Sequence, residues 1–480
     1  MPPADYFTVD PWDKRLAIFV LPVIVLLFYV KGAQHFSFTP DSTYVYLQYA
    51  KNLISGNGIG LNPGEPAYGV PGMLWVFLIS LGGLIGVDLV VAAKTIDLFI
   101  ASMALVLFFL VAYESIRDVV VALFATLAFS MNVWYLQWAG SGTEVSLGVA
   151  LLLATFWFCL RNEYLASIFL AALLFLVRPE AVLLFPLILV DAYLNSTDKL
   201  RARKLIAALA LLYVCFLLPW GIFAFLKFGS VLPAGYVPGT ILAGHALRSF
   251  FESWSFADAL AVVLLCFSIG FYLLREKDSR ESDPGEDDER FYFFRQGIVG
   301  LGWCVGLLGV LMLVHRDGTT RDLPLLSAFL VVTAFNHFHH FFAKRFGQKI
   351  GYTLIVGITM MMVFQNQLTY SVFAKPGMET YAQGMEFALK PIGKWFGRMT
   401  PAETVIATPE AGAIAYYSGR RVCTDAACRA DFLVVRSTDK PISAPKSGMV
   451  QMFYRVGFNW EGGAPAAVYY TVYQIPRETR

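Results

Sequence analysis

Apolar segments about as long as a bilayer crossing recur along the first three quarters of the chain, and this pattern constrains the fold more than any other. They run over 16–30, 89–113, 119–138, 145–160, 165–177, 181–194, 205–226, 257–274, 296–314, 323–342 and 350–364. Backbone groups in lipid find no water, so such segments are helices that satisfy their own hydrogen bonds. The first is not a cleavable leader, because it has no small-residue cleavage site and a long polar loop follows it directly. Composition agrees. Of 480 residues, 57% are hydrophobic and only 15% charged, with mean hydropathy +0.59; a water-soluble domain carries roughly 25% charged residues. Lys and Arg total 37 against 35 Asp and Glu, so no basic excess speaks for nucleic acid. Four of the six cysteines lie in apolar stretches, which excludes a disulfide-dense secreted scaffold. The expected fold class is an all-α polytopic membrane protein.

One segment, 71–86, is apolar but short and rich in glycine and proline. Read as a re-entrant or interfacial helix, it leaves about eleven spans and puts about sixteen cations in inside loops against about seven outside. The N-terminus is then inside and the C-terminus outside. The outer face collects the loop 31–70, the links 140–144, 178–180 and 315–322, the loop 227–256 and the tail. Charged residues return in that tail and apolar runs shorten. The expected division is a transmembrane domain over 1–367 and a small extracytoplasmic α/β domain over 368–480. Within the latter, 379–398 and 410–417 read as helices and 405–407, 432–435 and 468–473 as strands. The acidic run 277–290 reads as a solvated inside loop.

The densest polar information follows the first span: FTPDSTYVYLQYAKNLISGNGIGLNPGEPAYGVPGMLW. Asp41 stands immediately after Pro40, where a helix can begin, and Tyr44, Gln48 and Lys51 then share one face. A glycine-punctuated loop ends in Glu65. A carboxylate shielded at the membrane boundary by Tyr44 and Trp75 has a raised pKa and suits a general base. Its plainer role is to cap the helix over 42–50. Glu144 and Glu180 have a plainer reading as interhelical hydrogen-bond partners, Arg178 as the end of a helix broken by Pro179, and Arg316 and Arg321 as loop charges. His337, His339 and His340 put only two rings on one helix face, which favours structural roles over a metal site. Cys423 and Cys428 lie in the tail, where oxidising conditions permit a disulfide.

The run from Asp41 to Trp75 resembles the first outer loop of the GT-C glycosyltransferases, and more narrowly that of a bacterial and mycobacterial branch that includes arabinofuranosyltransferases. That loop reads approximately as DDAYI-x-x-RYA-x-N-L, then G-x-G, N-x-G-E and P-L-W. SGTE at 141–144 is similar to the family's TG-x-E, RPE at 178–180 to its RPE/G, FGSVLP at 228–233 to its FG-x-LLPNT, and HRDGTTR at 315–321 to its GGD…R. The stretch 407–420 also resembles the tail of that branch. The chain departs at Ser42, where the family has a second acid, at Gln48, where it has Arg, at Ala234–Gly235, and at the missing glycine pair before Asp317. No WWDYG motif is present, which argues against transfer of whole glycans to asparagine.

The resemblance implies transfer of a monosaccharide, arabinofuranose first, from a polyprenyl-phosphate donor to an envelope glycan, glycolipid or surface protein. It implies a bacterial cytoplasmic membrane with the C-terminal domain periplasmic. Asp41 would be the base, and Tyr44, Gln48, Glu65, Glu144, Arg178, Glu180, Arg316, Asp317 and Arg321 the substrate-binding set. No P-loop or GxGxxG follows a strand, so nothing suggests a nucleotide donor. No cofactor is assigned, and a divalent cation is left open. Two rivals stand beside this reading. A transporter or flippase of lipid-linked sugars would show internal repeats, and none is visible. An accessory subunit of a glycosylation complex stays open because Ser42 and Gln48 break the family pattern.

Overall fold

The computed structural model describes residues 11–196, 198–234, 255, 258–264, 266, 300, 302–307, 309, 319–424, 428–440, 449–461 and 464–476. Ten helices form its first half: α1 (Pro11–Ala33), α2 (Asp41–Ile54), α3 (Met73–Leu84), α4 (Leu89–Ile116), α5 (Val119–Ser130), α6 (Val133–Trp138), α7 (Val145–Leu160), α8 (Tyr164–Phe175), α9 (Leu184–Leu194) and α10 (Lys199–Phe228). Large apolar side chains stand exposed along α1 (Ile18, Phe19, Leu26) and α10 (Leu211, Phe225, Leu226), as on helices that face lipid. Helix α4, by contrast, is sheathed by α1, α5 and α7 and forms the bundle's centre. The chain is a multi-pass membrane protein.

The expected eleven full spans are not all found. Among the described residues, four helices are long and apolar enough to cross: Trp12–Ala33, Leu89–Ile116, Lys199–Phe228 and Leu323–Phe342. The segment expected over 119–138 is two helices, because the Asn132 side chain accepts from the Trp134 and Tyr135 amides and restarts the helix at α6. The segments expected over 165–177 and 181–194 are separate helices, as the sequence pattern has them: extended Arg178 precedes Pro179, and a 3-10 turn (Pro179–Leu183) leads into the 11-residue α9. Helix α3 has 12 residues, so it reaches about 18 Å, short of the roughly 30 Å hydrocarbon core. Most of the segments expected at 257–274 and 296–314 lies outside the described residues.

The last long helix runs much further than the sequence pattern shows. Gln348–Thr369 continues through a π turn (Tyr370–Ala374), Lys375–Gly384, a second π turn (Met385–Leu389) and Lys390–Met399. Each π turn directly precedes a Lys-Pro pair, Lys375–Pro376 and Lys390–Pro391. A wider turn absorbs the amide that proline lacks, so the helix is carried past both prolines. The expected division at 367/368 falls inside this rod.

Beyond the rod lies a five-stranded sheet in the order β2-β1-β3-β5-β4. β1 (Val405–Ala407) pairs in parallel with β2 (Arg421–Cys423) and β3 (Phe432–Ser437), and β3 then pairs antiparallel with β5 (Ala464–Gln474), which forms a hairpin with β4 (Val450–Glu461). The helix Ala411–Ser418 crosses over between β1 and β2. Cys423 and Cys428 are joined by a disulfide.

Candidate active site

Helix α2 begins at Asp41, with Pro40 extended before it. The Asp41 carboxylate does not cap its own helix. It accepts instead from the backbone amides of Gly412 (3.0 Å) and Ala413 (2.7 Å), which belong to the first turn of the Ala411–Ser418 helix. Those amides have no partner within their own helix, so a carboxylate from elsewhere satisfies them. The approach is close: a Cβ at Gly412 would collide with the Asp41 carbonyl oxygen and lie 2.9 Å from the Val45 nitrogen. One α2 turn later, the Tyr44 hydroxyl lies 3.2 Å from the Tyr417 hydroxyl. Further along, the Lys51 ammonium donates to the Tyr416 carbonyl at 3.1 Å. The two helices therefore run parallel, with an acid at the positive end of the shorter one and a cation near its negative end.

Burial raises the Asp41 carboxyl to about 7, with the charge of nearby Glu410 adding to the rise and the two amides opposing it. Glu410 is itself pushed up by burial against the pull of Arg436, which it meets at 3.2 Å. The Tyr381 hydroxyl lies 2.9 Å from the Asp41 amide, which donates to it, and completes the surround.

A second charged group lies in the sealed core. The Arg178 guanidinium pairs with Glu144 (3.3 Å), Glu180 (3.4 Å) and Asp322. All four side chains are buried. Its position follows from the broken helix pair: extended Arg178 and Pro179 turn the guanidinium back toward α7 and the start of the Leu323–Phe346 helix. The two groups are linked. Arg178 also donates to the Arg321 carbonyl at 3.4 Å, and the Arg321 guanidinium donates to the Ser42 hydroxyl at 2.6 Å while lying 5.0 Å over the Trp138 ring. Ser42 follows Asp41 directly, so a peptide bond, two hydrogen bonds and an ion pair connect Asp41, Ser42, Arg321, Arg178 and Glu144 in turn.

Glu144, Arg178 and Glu180 are thus brought together, Arg321 reaches Ser42 beside Asp41, and Asp41 and Tyr44 share the face of α2 that meets the Ala411–Ser418 helix. Gln48 is buried and donates to Asn52 at 3.3 Å. Glu65 turns to the C-terminal domain, where it pairs with Arg421 while Asn62 exchanges two hydrogen bonds with the Val422 backbone. Arg316 and Asp317 lie outside the described residues. Among those described, no group of three or more His, Cys, Asp or Glu is arranged to hold a metal. His339 stacks on Tyr352 and stands 3.6 Å from Asp118, a packing role.

Sequence reasoning missed Asp322, Lys94 and Asp97. Lys94 and Asp97 are both buried in α4, next to the segment that leads into Asp41 and to the Ser141–Glu144 loop respectively. Ionisable residues inside an apolar helix were the available signal.

A family model described as "Domain of unknown function (DUF8728)" matches residues 376–469, which take in the second half of the rod and most of the sheet. No curated protein matches the chain. Among solved structures, the Archaeoglobus fulgidus oligosaccharyltransferase tethered to an acceptor peptide containing the NVT sequon is similar at 11% identity and TM-score 0.51, over 86% of this chain and 64% of that one. Its apo form is similar at 12% identity and TM-score 0.51, over 86% and 65%. The same archaeal enzyme, AglB, with an inhibitory peptide and a dolichol-phosphate is similar at 11% identity and TM-score 0.51, over 85% and 64%. The likeness is one of fold: the chain shares the fold of this archaeal oligosaccharyltransferase and spans less than two thirds of the length of these structures.

Proposed function

We propose that the chain is a membrane glycosyltransferase that moves a sugar from a polyprenyl-phosphate donor to an acceptor hydroxyl, with Asp41 as the general base. The observation that carries this reading is Asp41 itself. A carboxyl held near neutrality is matched to proton transfer at physiological pH. The next residue, Ser42, accepts from the Arg321 guanidinium, and the fold is shared with an enzyme whose structure holds a dolichol-phosphate. The acceptor oxygen passes its proton to Asp41 and forms its bond to the anomeric carbon. The bond from that carbon to the phosphate oxygen breaks, and the electron pair leaves with polyprenyl phosphate. Arg321, a half-buried residue, steadies the departing anion, because guanidinium binds phosphate in a bidentate fork. Arg178 and its carboxylates hold Arg321 from behind.

The finer assignments belong to the same proposal. Arabinofuranose is the donor sugar to try first, and the acceptor is a glycan, glycolipid or surface protein of a bacterial envelope. The loop with α2 and the 368–480 domain face outward, as the positive-inside balance supports. The test is transfer by purified chain in vesicles from polyprenyl-phosphate arabinofuranose and mannose, read by product mass, for wild type and Asp41→Asn. Wild-type turnover by Asp41→Asn removes Asp41 as the base. Wild type that transfers only after a partner protein is added is an accessory subunit instead.

A further inference from the structure

Helix α4 carries two buried ionisable side chains one turn apart, Lys94 at 1% and Asp97 at 0% exposure. Neither belongs to the Arg178 group, and no salt bridge joins them to each other among the described contacts. They reach in different directions. The Lys94 ammonium donates to the Phe38 carbonyl at 2.5 Å and the Thr39 hydroxyl at 3.1 Å, and sits 5.1 Å over the Phe36 ring. Those residues are the lead-in to Pro40 and Asp41. The Asp97 carboxylate accepts from the Gly142 amide at 2.9 Å and from the Ser141 hydroxyl at 3.5 Å. Those residues lead into Glu144, which holds Arg178.

The two loops also touch one another. Thr43, in the first turn of α2, donates its hydroxyl to the Ser141 carbonyl at 3.0 Å, and Trp75 of α3 holds the same loop by donating its indole N–H to the Gly142 carbonyl at 3.0 Å. Gly142 has φ +85°, and a Cβ there would stand 2.8 Å from the Thr43 methyl. The loops thus meet at a point where only glycine fits, directly above the turn that carries both charges. Burying an ammonium and a carboxylate is costly unless each is hydrogen-bonded, and here each is bonded to a different loop.

We infer that Lys94 and Asp97 are a positioning pair: one turn of α4 fixes the segment that delivers Asp41 relative to the loop that delivers Glu144 and, through it, Arg178. The inference rests on the reading of Asp41 as the base. It goes beyond that reading by assigning the spacing between base and arginine to two residues that touch no substrate. A displacement of about 1 Å at a reacting centre costs roughly 10²-fold in rate, so the pair acts on turnover more than on donor binding.

Two measurements on the full chain in detergent or vesicles test it. The first needs no activity. Thr43 is fully buried between the loops, so the Thr43→Cys thiol reports their separation through its reaction with a water-soluble thiosulfonate, read by peptide mass. The reaction is expected to quicken several-fold when Lys94→Met or Asp97→Asn is added. The double variant Lys94→Met/Asp97→Asn, which leaves no lone buried charge, is expected to behave the same way and guards against a folding defect. Unchanged Thr43→Cys reactivity in all three overturns the inference, whatever the chain catalyses. The second is steady-state transfer: Lys94→Met is expected to lower kcat about 10²-fold with donor KM little changed. An equal fall in kcat/KM carried by KM alone, or a lowered melting temperature with kcat intact, also overturns it. Absence of transfer by wild type defeats the proposed function and leaves the thiol measurement to decide the positioning role.

Discussion

The Asp41 junction and the Arg178 core are both built around carboxylates, yet they solve the burial of charge in opposite ways. In the core, three carboxylates surround one guanidinium and all four side chains are shut away from solvent. At the junction, one partly buried carboxylate meets only dipoles, two helix amides, and an additional acid nearby. In the core the guanidinium and its carboxylates pair with one another, whereas at the junction burial opposed by dipoles holds Asp41 near the point of proton exchange. The core is therefore scaffold and the junction is where a proton can move. The junction joins α2 to the Ala411–Ser418 helix alone, whereas the core ties three stretches of chain, at Glu144, Arg178–Glu180 and Asp322, to one guanidinium.

Breaking the core should have the largest effect. Arg178→Met strands three buried carboxylates, and removing one partner of a buried ion group costs about 3–5 kcal/mol. The expected outcome is loss of a monodisperse peak on size-exclusion chromatography in detergent; a well-behaved Arg178→Met protein would show that the core is not scaffold. Asp41→Asn comes next and separates the two regions. Asn keeps one oxygen for the Ala413 amide but turns its NH2 toward the Gly412 amide, so the melting temperature should fall by the equivalent of about 1–3 kcal/mol, the cost of a donor left without an acceptor. Transfer should fall by about 10²–10⁴, the share of a general base. In wild type the acid limb of the rate profile should lie near pH 7, since only ionised Asp41 accepts a proton. The stability term has the opposite sign. Between the ordinary value of 3.8 and about 7 the folded chain keeps a proton on Asp41 that the unfolded chain has released, so raising the pH through that window removes stability.

How far these regions were legible in the sequence follows from the distances along the chain. The start of α2 at Asp41 was readable from Pro40, and the helix near 411–418 from its apolar spacing. Their docking was not, since capping sequence rules look a few residues away and Asp41 caps a helix 371 residues further on. Asp322 was hidden because it read as the end of a polar loop, and only the fold aims it at Arg178. The strands of β3 and β5 showed as β-branched runs, while β4 did not, because Arg455, Gly457 and Asn459 interrupt its apolar pattern on an edge that one neighbour pairs. The segment over 119–138 was read as one span for a local reason: hydropathy averages over Asn132, whose side chain caps and restarts the helix.

A milder probe sharpens the comparison at the junction alone. In Gly412→Ala the new methyl meets the Asp41 carbonyl, and overpacking of this kind costs about 1–3 kcal/mol unless the helices part. Parting exposes Asp41 to water, so its pKa should drop back toward the carboxylate range and the acid limb of the rate profile should shift to lower pH. A profile that stays near 7 in Gly412→Ala would mean that the packing of this helix does not set the proton affinity of Asp41.

Lys51→Ala tests the other end of the same helix and should have the smallest effect. Its ammonium is exposed and reaches the Tyr416 carbonyl, near the negative end of the Ala411–Ser418 dipole. A cation in that position stabilises by about 0.3–1 kcal/mol and is screened by salt. The expected loss is a melting shift of a degree or two at low ionic strength that vanishes by about 1 M, where the screening length falls to about 3 Å. Because Lys51 holds the helix that holds Asp41, without touching Asp41 itself, the acid limb of the rate profile should stay in place. A large, salt-independent loss would instead make this contact part of the rigid scaffold, and the contrast between a fixed core and a releasable junction would no longer hold.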